Sequence, residues 1–194
     1  SNELNNYCSY IRGLSFMNKG LFSAAKKELS SISKSFQFYY RVKIAFGMIA
    51  LQQNDYATAL RFFESVNQQP NANFDFTRST FYQNLGLCYF HTHNFGKAEK
   101  YLLKSSALQS ADKDTLKLVG TYMDLANLYY EQFNDNQAIP YFEKAYQLSK
   151  KVNSFELKRN AAENMAVVEE NRKNLSKALT FRKEMEQWKD SLND

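Results

Sequence analysis

Apolar and small residues recur along the chain in five copies of one helical pattern. Each copy is centred on an alanine, and most copies place an apolar residue three positions before it and a bulky residue four positions after it. Positions with this spacing share one face of an α-helix, and alanine suits a place where a second helix approaches closely. The pattern therefore predicts five registered helices. Their marker alanines are Ala25, Ala59, Ala98, Ala138 and Ala178.

The marker alanines are separated by 34, 39, 40 and 40 residues, and a second helical segment precedes each of them. Each repeat therefore contains two helices, which we call the A helix and the B helix, with the marker alanine on the B helix. A pair of helices this small cannot bury its apolar faces alone, so stacking of the pairs is required. The period predicts a helical solenoid.

Five registered copies of a known motif carry a family resemblance. Around the third and fourth markers the chain resembles the tetratricopeptide repeat consensus W-x-x-L-G-x-x-Y…A-x-x-x-F, with tyrosine in place of tryptophan. The matching residues are Tyr82, Leu85, Gly86, Tyr89, Ala98 and Leu102, then Tyr122, Leu125, Ala126, Tyr129, Ala138 and Phe142. The last copy is degraded, because Glu169 replaces the aromatic residue and Arg182 the bulky one.

The resemblance implies an all-α fold, a right-handed α-α superhelix of about five helical hairpins in a single domain that spans residues 1–194. The small residue of each A helix lets its B helix pack closely, at Gly13, Gly47, Gly86, Ala126 and Ala166. The approximate repeats are 6–39, 40–78, 79–118, 119–158 and 159–194.

The A helices of the last three repeats are preceded by residues that favour a helix N-terminus. The candidate N-caps are Asn73 or Asp75, Asp112 or Asp114, and Asn153 or Ser154. Pro70 is expected in a turn, and Pro140 near the start of a B helix.

The resemblance also implies a concave groove lined by inward-facing positions of the A helices. Side-chain amides in such a groove can bind the backbone of an extended peptide, although composition alone would also supply Asn and Gln. The candidate ligand-binding residues are Arg41, Met48, Gln83, Asn84, Phe90, Met123, Asn127, Tyr130, Asn160 and Asn164.

Charge and composition do not favour a nucleic-acid site. The net charge is +5, but residues 1–61 hold most of the excess, with 8 Lys/Arg against 3 Asp/Glu scattered along the segment. Scattered charges are typical of a solvated helix face, so we expect that this region binds no nucleic acid. Binding of an acidic surface on a partner protein is left as an alternative. No run of 18 apolar residues occurs, and we expect no membrane contact.

No constellation of residues predicts catalysis. Cys88 and His91 could share a helix face near His93, but further metal ligands of a suitable type are not evident. Phosphate-binding loops and nucleophile elbows are not found. We therefore expect a protein that is not an enzyme and that uses no cofactor or metal.

A heptad-like seam runs along the last B helix, at Ala178, Phe181, Met185, Trp188 and Leu192. It is either the inner face of that helix or the start of a coiled coil, and Phe181, Met185, Trp188 and Leu192 could form a homodimer. The seam is similar to the point where bacterial membrane-anchored sensor kinases and helix-turn-helix regulators leave their repeats. The chain also begins without Met, which suggests a piece of a longer protein.

Two functions are the main hypotheses, and nucleic-acid binding through the basic N-terminal third is a third, less favoured one. The first is a non-catalytic module that binds a protein or peptide, as the sensory or interaction part of a larger bacterial signalling or transcription-regulatory protein. The second is a purely structural scaffold for dimerisation or spacing. The location would be periplasmic for a membrane-anchored sensor and cytoplasmic otherwise.

Overall fold

The computed structural model describes residues 2–68 and 78–190, and these residues form ten α-helices without a β-strand. Consecutive helices pair into hairpins one to five, each with an A helix and a B helix. The helices are α1 (Asn2–Asn18), α2 (Phe22–Ser30), α3 (Tyr39–Gln52), α4 (Tyr56–Asn67), α5 (Arg78–His91), α6 (Phe95–Ala111), α7 (Thr115–Glu131), α8 (Asp135–Ser149), α9 (Phe155–Asn171) and α10 (Leu175–Asp190).

A turn of three residues joins the A helix to the B helix in every hairpin. Its middle residue always has a positive φ, at Gly20 (71°), Asn54 (58°), His93 (59°), Phe133 (55°) and Lys173 (62°). Backbone hydrogen bonds hold this conformation, as at Asn134, whose N–H donates to the Tyr129 carbonyl at 2.9 Å. A left-handed residue at this place ends the A helix and reverses the chain.

The small A-helix residue allows the close approach that the sequence predicts. A Cβ atom on Gly47 would lie 2.6 Å from Phe63 Cε1, and one on Gly86 would lie 2.8 Å from Leu102 Cγ. Both contacts are shorter than side-chain carbon atoms tolerate, so a Cβ atom at either position would require the facing side chain or helix to shift. The marker alanine Ala98 has no exposed surface.

The chain divides into two compact units. The first contains α1 to α4 together with Cys88–Asn94, and the second contains the part of α5 that ends at Leu87 together with α6 to α10. The core of the first unit is apolar and aliphatic, with Leu29, Val42 and Ile49 fully buried. An aromatic cluster adjoins it, where Tyr7 meets the edge of Phe36 at 5.1 Å between ring centroids.

Tyrosine hydroxyls join one hairpin to the next inside each unit. In the second unit, Tyr129 donates to Glu99 Oε1 at 2.6 Å, from α7 to α6. Tyr89 donates to Glu64 in the same sense in the first unit. Hydrogen bonds to a charged acceptor are stronger than neutral ones, so these pairs fix the spacing of neighbouring hairpins.

Two of the predicted N-caps are confirmed. Asp114 accepts a hydrogen bond from the Lys117 N–H at the start of α7, and Ser154 accepts one from the Leu157 N–H at the start of α9. Asn73, Asp75 and Pro70 lie outside the described residues. Pro140 lies inside α8, where the helix has already begun at Asp135.

The predicted repeat boundaries at residues 119 and 159 lie inside α7 and α9. Both helices begin four residues earlier, at Thr115 and Phe155, because the chain places an N-cap ahead of the consensus positions. The extra helical turn lengthens these A helices to 17 residues each. A single domain over the whole chain stays a prediction.

Candidate functional site

A chain of polar side chains joins three helices of the second unit. Gln83 Nε2 on α5 donates to Asp124 Oδ2 on α7 at 2.7 Å. Gln109 on α6, which has no exposed surface, donates through Nε2 to Gln83 Oε1 at 3.4 Å. Because each buried polar group needs a partner, this chain fixes the Gln83 side chain and leaves its position little freedom.

Asp124 is the acid of this group, and its pKa is shifted. Burial raises the pKa of its carboxyl to about 6, and the hydrogen bond from Gln83 opposes that change by favouring the charged form. The carboxylate is therefore ionised at neutral pH and takes up a proton in mildly acidic solution.

Asp124 belongs to a row of equivalent positions on the A helices. Asn84, Asp124 and Asn164 each lie fourteen residues before the marker alanine of their hairpin, and all three are partly buried. Asn127 lies on the same side of α7, one helical turn from Asp124, and is exposed. We call Asn84, Asp124, Asn127 and Asn164 the amide row. The three amides offer both donors and acceptors to a polypeptide backbone, and the ionised Asp124 offers acceptors only.

Two further predicted residues take part in local bonds. Tyr130 accepts a hydrogen bond from Asn171 Nδ2, which joins α7 to α9. Asn160 Oδ1 accepts from both Arg159 Nε at 3.2 Å and Arg159 Nη2 at 2.9 Å. Asn171 and Gln109 were not among the predicted site residues. Asn171 lies at the end of α9, beyond the last predicted groove residue, Asn164, and Gln109 lies on a B helix.

Two of the predicted groove residues contribute to packing. Met123 is buried, with 9% of its surface exposed, and Met48 packs against the apolar core of the first unit. Helical phase placed both on the inward face but could not show how far the neighbouring helices cover that face. Neither side chain is a strong candidate for ligand contact.

Arg41 and Phe90 lie in the first unit. Arg41 is exposed, donates through Nε to the Tyr40 hydroxyl at 3.2 Å, and lies 5.1 Å from the centroid of the Phe38 ring. Phe90 is partly buried and meets the His91 ring at 5.0 Å. The shared groove of all ten predicted residues therefore stays a prediction, whereas the amide row lies within one unit.

The first unit also has a basic, aromatic cleft of about 570 Å³ beside α3. Lys34 and Lys43 line it together with Tyr39, and Phe46 and Phe62 stack at 5.3 Å between centroids with an angle of 15°. The structure thus concentrates two of the scattered N-terminal cations beside aromatic rings. This arrangement suits the acidic partner surface that the sequence left open.

Cys88 and His91, the two residues considered as metal ligands, both take part in packing. Cys88 is fully buried, and burial raises the pKa of its thiol to about 12. His91 stacks on Tyr56 with 3.8 Å between ring centroids. Within residues 2–68 and 78–190, no cluster of three His, Cys, Asp or Glu residues could hold a metal ion. No helix in those ranges is long and apolar enough to cross a membrane.

The aromatic residues of the C-terminal seam pack within the second unit. Phe181 meets the edge of Tyr146 at 5.1 Å, and Trp188 stacks on Phe155 at 5.8 Å with an angle of 17°. Lys158 Nζ lies 4.6 Å from the centroid of the Trp188 ring. These contacts match the first interpretation of the seam, an inner helix face. Leu192 lies outside the described residues, and the homodimer stays a prediction.

The described helices define a protein class, that of stacked α-helical hairpin repeats. Residues 77–151 match the family model described as tetratricopeptide repeat. No curated protein sequence matches the chain. The matched stretch contains hairpins three and four, whose residues carry the consensus, and the all-α repeat fold is confirmed. Residues 77–151 therefore contain tetratricopeptide repeats, and the described helices on either side have the same hairpin architecture.

Solved structures of low sequence identity share this fold. BtubC from P. vanneervenii aligns with a TM-score of 0.77 at 14% identity, covering 93% of this chain and 78% of that one. A signal transduction ATPase with a tetratricopeptide repeat sensor, from Pyrococcus horikoshii, aligns with a TM-score of 0.79 at 16% identity, covering 94% and 29%. The Rap conjugation gene regulator of plasmid pLS20, in complex with the Phr* peptide, aligns with a TM-score of 0.64 at 16% identity, covering 76% and 42%.

Proposed function

We propose that this chain is a non-catalytic module that binds an extended peptide or protein segment along the amide row. The observation that carries the proposal is the alignment of Asn84, Asp124 and Asn164 at one repeat position, next to the exposed Asn127. An extended backbone presents N–H and C=O groups at regular intervals. The side-chain amides of the row can accept hydrogen bonds from the N–H groups and donate to the C=O groups. Tetratricopeptide repeats serve as protein-interaction modules, which agrees with this use.

The proposal extends to the role of the chain in a larger protein. We infer the sensory or interaction part of a bacterial signalling or transcription-regulatory protein. Two structural relatives support this inference, because one contains a tetratricopeptide repeat sensor and the other is a regulator in complex with a peptide. The degraded last repeat and its aromatic seam are also similar to the end of such a sensor region.

A peptide selection tests the binding proposal. A phage-displayed library of random peptides would be selected on the full chain, and the affinity of each enriched peptide measured by calorimetry. Asn127→Ala and Asn164→Ala should each weaken binding by about fivefold, since a hydrogen bond contributes on the order of 1 kcal/mol.

The matched control is Lys183→Ala on α10, where the lysine is exposed and outside the row. This variant should bind like the unmodified chain. The proposal fails if no peptide is enriched, or if the enriched peptides bind Asn127→Ala and Asn164→Ala with unchanged affinity.

A further inference from the structure

A cleft of about 750 Å³ opens between α8 and α10 of the second unit. Its lining includes Pro140 and Tyr146 of α8, Met165 of α9 and Phe181 of α10. Three of these four side chains are aromatic or sulfur-containing, so the cleft offers polarizable surface to an aromatic group.

The cleft coincides with a departure from the repeat pattern. In hairpin four, the residue nine positions before the marker alanine is Tyr129, whose ring stacks on Tyr141 at 5.7 Å with an angle of 20°. In hairpin five the same two positions hold Glu169 and Phe181. No ring at position 169 can stack on Phe181, which instead meets the edge of Tyr146. A phenol present in hairpin four is thus missing from hairpin five.

The charges around the cleft restrict what can take that phenol's place. Glu169 is buried, with 5% of its surface exposed, and pairs with Arg172 Nη1 at 3.1 Å. Glu143 also lines the cleft, 4.0 Å from Arg172. Lys144 and Lys177 contribute the opposite charge. The two carboxylates and two lysines give the lining no net charge, so it favours neither an anion nor a cation, whereas a neutral hydroxyl can donate to one of the carboxylates.

We propose that this cleft binds a tyrosine side chain of a partner polypeptide, with the hydroxyl donating to Glu143 or Glu169. The chain itself shows the preferred geometry. Tyr129 donates to Glu99, and Tyr146 donates to Glu184 at 2.6 Å, so a tyrosine hydroxyl on a glutamate joins hairpin four to both of its neighbours. The partner's tyrosine repeats that contact where the chain lacks its own ring.

This site is separate from the amide row. Glu169 lies five positions after Asn164, which places it about 140° around the α9 axis. The two surfaces therefore lie on different sides of the same helix, and one partner segment on the row does not fill the cleft. The inference goes beyond the proposed function and can fail independently of it.

Methyl NMR of the full chain tests the site. With [¹³C-methyl]methionine, the Met165 resonance reports on the cleft, and the Met123 resonance of α7 is the internal control. The probe is N-acetyltyrosine amide, which should shift Met165 saturably with a dissociation constant in the millimolar range. N-acetylphenylalanine amide should bind about tenfold more weakly, because it lacks the donor to a charged acceptor. The amide of N-acetylphosphotyrosine should bind most weakly.

Glu169→Tyr is the decisive variant, since it restores the hairpin-four residue and fills the cleft with a ring. Its circular dichroism melt should show an intact helical fold, and its Met165 resonance should no longer respond to the tyrosine amide. Glu143→Gln should retain the response with severalfold weaker binding.

Three results overturn the proposal: no saturable Met165 response, equal binding of the tyrosine and phenylalanine amides, or an unchanged response in Glu169→Tyr. Asn127→Ala provides the separation from the proposed function. This variant should bind the peptide more weakly while its Met165 response stays unchanged, because the two surfaces act independently.

Discussion

Hairpins four and five have the same helical framework but different chemistry at two of its positions. Both have a fully buried small residue on the A helix, Ala126 in hairpin four and Ala166 in hairpin five. The facing B-helix position holds Phe142 in hairpin four, where it is buried, and Arg182 in hairpin five. The position nine residues before the marker alanine holds Tyr129 and Glu169, respectively.

Hairpin five compensates for its lost rings with ion pairs. Arg182 donates to both carboxylate oxygens of Glu170, through Nε at 2.9 Å and Nη2 at 3.0 Å, which joins α10 to α9. Glu169 pairs with Arg172, which lies three residues further along the chain and caps the C-terminus of α9. The small residues at the helix crossing are common to both hairpins, so they preserve the framework while the aromatic positions are free to change. This freedom opens the cleft beside Phe181.

The largest expected effect on stability comes from a substitution in hairpin four, and the equivalent substitution in hairpin five should have a smaller one. Phe142→Ala removes a buried ring and should lower the free energy of unfolding by about 3–5 kcal/mol. Arg182→Ala at the equivalent position should lose less than about a third of that, because an exposed ion pair contributes little. Urea unfolding followed by circular dichroism measures both values.

Equal losses in the two variants would contradict the comparison. They would mean that the methylene groups of Arg182 pack as effectively as the Phe142 ring. Arg182→Met provides the control, since it keeps an unbranched apolar chain and removes the charge.

The second prediction concerns the row position at which hairpin four has an acid and hairpin five an amide. Asp124 has a folded pKa of about 6, above its ordinary value of 3.8, so the folded state binds the proton more tightly. The stabilisation from protonation is complete below the ordinary pKa and is lost as the pH rises through 6. Asp124→Asn should therefore raise the stability at pH 7.5, by up to about 3 kcal/mol, and much less at pH 4.

Thermal melts of both proteins between pH 4 and pH 8 check this prediction. Asn164→Asp is the reciprocal variant and should give hairpin five a similar decline in stability above its own folded pKa. A stability difference between Asp124→Asn and the unmodified chain that stays constant with pH would show that Asp124 titrates normally.

The sequence predicts the repeat framework better than the site because the two depend on different information. The marker alanines and the small A-helix residues report on local helix crossings, which repeat with the chain, so five hairpins follow from spacing alone. Met123 shows the limit of this reasoning. Its helical phase matches that of the groove residues, but neighbouring helices cover it, and coverage depends on contacts between distant segments.

The charged replacements in hairpin five were visible as departures from the consensus, but their partners were not. Arg172 lies three residues from Glu169, a separation that a helix brings together, and could have been proposed from the sequence. The Arg182–Glu170 pair joins two helices, and the Gln83–Asp124 bond joins two hairpins. Such contacts require the register between helices, which the chain alone does not specify for side chains.

A third, smaller effect compares the two residues nine positions before the marker alanines. Tyr129→Phe keeps the ring and removes the hydroxyl that binds Glu99, so it should lower the free energy of unfolding by about 1–2 kcal/mol. Glu169→Gln keeps the shape of the side chain, and Arg172, which is partly exposed, can be hydrated instead. This variant should therefore lose less free energy of unfolding than Tyr129→Phe does. Urea unfolding distinguishes them. A larger loss in Glu169→Gln would show that the buried ion pair contributes more to stability than the tyrosine bond does.

The smallest expected effect isolates the charge of Arg182. Arg182→Gln should lower the melting temperature at low ionic strength by less than Tyr129→Phe does, because the Arg182–Glu170 pair is open to solvent. The difference from the unmodified chain should disappear in about 1 M salt, where the screening length is about 3 Å. Melting curves at the two salt concentrations measure it, with Lys183→Gln as an exposed control on the same helix. If the difference persists in high salt, Arg182 stabilises hairpin five by packing its methylene chain against α9, and the contrast with Phe142 becomes one of degree.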